Sequence, residues 1–101
     1  MKTSDPETRR AQAAALLRKF LKDNPEWVGD GFVCTHDEWA RRGEPYGKSS
    51  LATLVVDGSP LYGALHEHSG DRVIAKLDKA LEAEGMYHEL GFAWTLHIYE
   101  I

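Results

Sequence analysis

The residues equipped for chemistry in this 101-residue chain are a single cysteine and five histidines: Cys34, His36, His66, His68, His88 and His97. Thiolate and imidazole bind soft metals and act as nucleophile and base, so their spacing is the first thing to weigh. Cys34-Thr35-His36 and His66-Glu67-His68 are pairs with one residue between. On a strand that spacing puts both side chains on one face, as ligands of one ion would be. Cys34 and His36 straddle the start of a helix, however, and on a helix His66 and His68 stand about 200° apart. A structural zinc site draws four convergent ligands, commonly from pairs spaced C-x2-C or H-x3-H. Neither spacing occurs here. No metal and no cofactor are expected, and His36, His66 and His68 read as surface imidazoles at helix ends, where the dipole favours them.

Nucleophilic catalysis has Cys34 as its only thiol. It lies in an apolar segment beside a helix N-terminus, which would lower its pKa, but a buried cysteine that merely packs is the commoner use of such a position. Ser49, Ser50 and Ser59 lack the surroundings of an activated serine and read as caps. Glu82 and Glu84 point to different faces of a helix, so they are not a working carboxylate pair. The glycines of Gly29-Asp30-Gly31 and Asp57-Gly58 belong to turns, not to a phosphate-binding loop. No catalytic residue is assigned.

The elements that position these residues follow from pattern. Ser4 to Asn24 is a helix: Ser4-Asp5-Pro6-Glu7 has capping-box spacing, Ala13, Leu16, Leu17, Phe20 and Leu21 form one apolar stripe, and Asn24-Pro25 stops it. Pro25 to Gly31 is a loop that folds Trp27 and Val28 back on the core. Phe32-Val33-Cys34 is a short strand. Thr35-His36-Asp37-Glu38 repeats the capping box and opens a helix that ends at Gly43 and turns Trp39 and Ala40 inward. Leu51 to Asp57, apolar and β-branched, is a central strand. Ser59 caps a helix over Pro60 to Glu67 that buries Leu61, Ala64 and Leu65. Asp71 caps another that buries Ile74, Leu77 and Leu81, with Val73 and Ala80 flanking, and Gly85 closes it.

Met86 to Ile101 is a hairpin about Gly91-Phe92. Two registers compete. A two-residue turn puts His88 opposite Thr95; a three-residue turn puts it opposite Trp94 and groups Met86, His88, Trp94, Leu96 and Ile98 on one face. In the second register His97 falls on the other face.

From residue 35 onward the order helix, strand, helix, helix, strand, turn, strand resembles a winged helix-turn-helix domain with an extra N-terminal helix. The expected class is therefore α+β, with a small antiparallel sheet, in one domain over residues 1–101. The resemblance implies that Asp71 to Glu84 is a DNA-reading helix, using Arg72, Lys76 and Lys79. Charge argues against that use. Residues 1–24 carry six Lys/Arg against three acids, but the rest of the chain carries six against thirteen, and the net charge is −4. Duplex binding depends on phosphate neutralisation, and the hairpin tip, Glu89 to Phe92, has no cation. The basic N-terminal segment reads as docking on its own acidic body or as a plain solvated face, ahead of a site for an acidic partner.

A lone cysteine means no internal disulfide, and no apolar run approaches the ~20 residues of a membrane span, so a cytoplasmic location and no membrane partner are expected. The aromatics Trp27, Trp39, Tyr46, Phe92 and Tyr99 exceed what a core this small can bury, and surface aromatics mark interfaces. The reading these features support is a small non-enzymatic interaction or regulatory accessory domain, of the kind phages and mobile elements carry. Its partner is another protein or a second copy of itself. A DNA-binding regulator is the alternative, and a small enzyme using Cys34 or a histidine the second.

Overall fold

A computed structural model describes residues 5–28, 31–44, 47, 49–56, 71–91 and 95–101, without the side chains of Trp27, Val28 and Asp71. Its elements are α1 (Pro6–Asp23), α2 (Pro25–Val28), β1 (Phe32–Thr35), α3 (His36–Arg42), β2 (Ala52–Val55), α4 (Asp71–Ala83), β3 (Met86–Leu90) and β4 (Thr95–Glu100). The four strands form one antiparallel sheet in the order β1-β2-β4-β3. The chain is thus of the α+β class. The helix expected over Pro60 to Glu67, on which the winged-helix order depends, lies outside the described residues, and β1 adds a fourth strand to the sheet.

Local chemistry sets the helix ends. α1 is capped by Asp5 rather than Ser4: the Asp5 carboxylate accepts from Thr8 N–H at 2.7 Å. That bond holds the Asp5 carboxyl below its ordinary value. Pro6 takes the first helical position, where no N–H is needed. Asn24 ends the helix, its amide nitrogen 3.0 Å from Phe20 O. The residues after it, read as a loop, make the single helical turn α2. At α3 the capping box is complete: Thr35 accepts from Glu38 N–H, and Glu38 accepts from Thr35 N–H at 2.8 Å. Gly43 closes α3 at φ 76°, a left-handed angle that costs glycine nothing.

One face of the sheet carries the main core. Alternate residues Ala52 and Leu54 of β2, Leu96 and Ile98 of β4 and Met86 of β3 meet Ala13, Ala14, Leu17 and Phe20 of α1 and Leu77 and Leu81 of α4. Helix α1 packs across β1 and β2, and α4 across β3. Ile74 and Val73 are half-buried at the margin, while Ala80 is exposed. The opposite face is covered too, by Trp39 of α3 on Cys34 and Val55. Ala40, expected to turn inward, is exposed; Trp39 alone fills that side of α3. Every residue of β2 is therefore buried, which is what its unbroken apolar run requires of a strand packed on both faces.

The hairpin adopts neither expected register. Leu90 pairs with Leu96, His88 with Ile98 and Met86 with Glu100, so β3 meets β4 four residues further along than in the three-residue alternative. A shift by an even number leaves the faces unchanged. Met86, His88, Leu96 and Ile98 share the core face and His97 takes the other, as the three-residue alternative grouped them; Trp94, the remaining member of that group, lies outside the described residues. Placing the turn further on brings Leu90 into the ladder and lets β4 pair with β2 along its first four residues.

Candidate functional site

Two places bring chemically distinctive side chains together. The first is a polar cluster on the α3 side of the sheet. Alternation along β2 and β4 directs Thr53, Thr95 and His97 to this face. His97 Nδ1 lies 2.9 Å from Thr53 Oγ1 and Nε2 lies 3.1 Å from Thr95 Oγ1. Ser50 Oγ lies 3.3 Å from Thr53 Oγ1 and donates to Gly47 O at 2.8 Å. His36 Nδ1–H donates to Ser50 O at 2.8 Å. The Trp39 ring meets the His97 ring edge-on, 5.1 Å between centroids.

Burial decides what this cluster does. Ser50, Thr53, Thr95 and His97 are each at most 1% exposed. Desolvation lowers the His97 pKa from 6.5 to about 4, so the ring is neutral at pH 7. Hydroxyls donate and accept, so Thr53 and Thr95 satisfy both nitrogens of a neutral imidazole. The cluster holds Gly47 and Ser50 against the sheet, and it offers no exposed nucleophile. Cys34, beside it, is also buried, and burial pushes its thiol pKa up. Desolvation outweighs the attraction of Arg42, so Cys34 is the packed cysteine that the sequence favoured over an activated thiol.

The second place is the outer side of the hairpin. Tyr87 and Tyr99 pair across β3 and β4 with ring centroids 5.7 Å apart, and Ile101 continues the row. On this side Tyr87 is 38% and Ile101 80% exposed; at the end of β3 Leu90, on the core face with Met86 and His88, is 49% exposed. Burial, with Glu89 and Tyr87 nearby, raises the Tyr99 phenol pKa. On the core face His88 Nδ1 lies 2.5 Å from Asp78 Oδ1, which fastens β3 to α4.

Of the aromatics expected at an interface, Tyr99 is half-buried beside this surface. Trp39 is 1% exposed, a core side chain and not a contact surface. Tyr46, Phe92 and the side chain of Trp27 lie outside the described residues, as do His66 and His68. Tyr87 and Leu90 were not singled out in the sequence; correct placement of the turn is what reveals them. Arg72, Lys76 and Lys79 are exposed on α4, with Glu82 and Glu84 exposed among them. On α1, Arg9 faces the protein's own body: its Nε donates to Glu100 Oε2 at 2.7 Å and its Nη2 to Glu84 O at 2.6 Å.

A shallow groove of about 310 Å³ between α1 and the start of α3 is lined by Arg10, Ala14, Arg18 and His36, with Glu7 and Asp37 offsetting its positive charge. Among the described residues no three His, Cys, Asp or Glu side chains are placed to hold a metal ion, and no helix is long and apolar enough to cross a membrane. Comparison with protein families, with curated proteins and with solved structures finds no match to this chain.

Proposed function

We propose that this protein is a non-enzymatic interaction module that receives an extended protein segment along β3. One observation carries the reading: among the described residues β3 is an edge strand, and Tyr87 on its outer face and Leu90 on its core face are both exposed. Edge strands are usually blunted by charges, above all Lys, by Pro or by a bulge, and Met86-Tyr87-His88-Glu89-Leu90 carries a single acid and neither Lys nor Pro. Backbone pairing supplies affinity in such complexes, and alternate side chains supply selectivity. The burial of Cys34 and His97 supports a binding role over a catalytic one.

Site-specific photo-cross-linking in the native host tests this. A benzophenone side chain in place of Tyr87 or Leu90 is expected to give a discrete protein adduct that mass spectrometry maps to β3. Yields no higher than from an exposed position on α1, such as Lys22, overturn the reading.

A further inference from the structure

We infer that the protein pairs with a second copy of itself through β3, the two strands running antiparallel about a twofold axis at His88. This rests on the strand-addition reading and names its partner. The hydrogen bonds of the hairpin set the phase of the open edge. Gly91 N–H donates to Thr95 O at 3.1 Å and Ile101 N–H to Gly85 O at 2.9 Å. Antiparallel ladders alternate bonded and unbonded pairs, so the odd-numbered residues spend their backbone groups on β4. Met86, His88 and Leu90 therefore turn N–H and C=O outward.

An antiparallel pair centred on His88 sets Met86 opposite Leu90 of the second copy, and His88 opposite itself. Each of these pairs exchanges both backbone bonds, and all five residues of β3 take part. The side chains select the same centre. Tyr87 stands opposite Glu89 of the second copy, phenol beside carboxylate, twice by symmetry. Leu90 covers the side of Met86 on the core face. A centre at Glu89 would oppose two carboxylates, which is unfavourable. A centre at Tyr87 would leave Leu90 opposite Glu84, beyond the strand.

The interface is isologous, so it closes at two copies and blocks the edge to further addition. The twofold keeps both α4 helices on one side of the joined sheet. The flank of α4 that holds Asp78 also carries exposed Ala75, Lys79 and Glu82, so a small residue leaves room for the approach and Lys79 offsets part of the acidic charge there. β1, the other edge, is four residues long and runs directly into α3. A single pair of short strands buries less than a standard interface, so the pairing is expected to be weak and concentration-dependent.

Analytical ultracentrifugation of the purified full chain, from about 1 µM to 1 mM to span weak association, tests the pairing. Average mass should rise from one chain towards two. Leu90→Pro removes an outward N–H without touching the ladder to β4, and should hold the protein monomeric with its circular dichroism unchanged. Should that variant not fold, Tyr87→Glu, which sets carboxylates opposite one another, should weaken pairing at least tenfold. A wild type that stays monomeric throughout, or a dimer indifferent to both variants, overturns the inference. A monomer that still gives β3 cross-links in the host leaves the strand-addition reading standing with a different partner; a monomer without them ends both.

Discussion

Gly47 lies directly against the imidazole of His97: a methyl group on its Cα would come within 2.5 Å of ring atoms Nδ1 and Cε1. Gly47 also has φ 69°, where side chains are strained. The ring cannot step aside, because both nitrogens lie within hydrogen-bond reach of threonine hydroxyls and Trp39 closes on its edge.

Gly47→Ala should therefore combine backbone strain with overpacking and destabilise by about 2–4 kcal/mol. Gly43→Ala is the internal control. It has φ 76° but nothing within 4 Å of the added carbon, so only the strain remains, about 1 kcal/mol. Urea denaturation of the two variants measures the difference.

Stability should fall as the solution is acidified, for a reason located at His97. Its pKa is depressed in the folded state, from 6.5 to about 4, so the unfolded chain binds the proton more tightly. The contribution of the neutral ring is complete above pH 6.5 and is lost as pH falls towards 4, at up to ~1.4 kcal/mol per pH unit. His97→Gln should lower stability at pH 7 and flatten the profile between pH 6.5 and 5. Melting temperature against pH for both proteins checks this; parallel curves would count against a buried neutral imidazole.

Cys34 should resist modification in the native state. Its side chain is buried and its thiol pKa is raised, so thiolate is both scarce and hidden. A chromogenic disulfide reagent at pH 7 should react slowly, and at least a hundredfold faster in urea. Prompt native reaction would revive Cys34 as a nucleophile.

Arg9 joins three parts of the chain: its guanidinium reaches Gln12 on its own helix, Glu84 O at the end of α4 and Glu100 on β4. Glu100 is more than half exposed, so the ion pair itself is worth little. The backbone carbonyl is the stronger reason to expect a loss of about 1–2 kcal/mol from Arg9→Ala. Lysine lacks the fork and should recover only part of it. Denaturant midpoints of the two variants give the answer.

Fold class, the capped start of α3, the central strand and the stripe of α1 were legible because each is written locally, in caps, breakers and periodicity. The hairpin register was not. Gly91 draws a turn to itself by composition, but pairing Leu90 with Leu96 lets β4 lie fully along β2, and that long-range gain sets the ladder. The polar cluster was hidden for a related reason. Thr95, His97 and Tyr99 alternate with apolar residues like a solvent-facing row, and only the burial of β2 on both sides, implied by its apolar run, hints that its neighbour is covered too.

β4 carries two messages in alternate letters: Leu96 and Ile98 for the oily layer, Thr95 and His97 for the hydroxyl-lined one. A single-residue slip against β2 would present imidazole to leucines and isoleucine to threonines, exchanging every partner at once. Misregistered hairpins therefore find no shallow minimum in which to linger. A strand that must satisfy two unlike layers proofreads its own pairing, at the cost of tolerating few substitutions on either side.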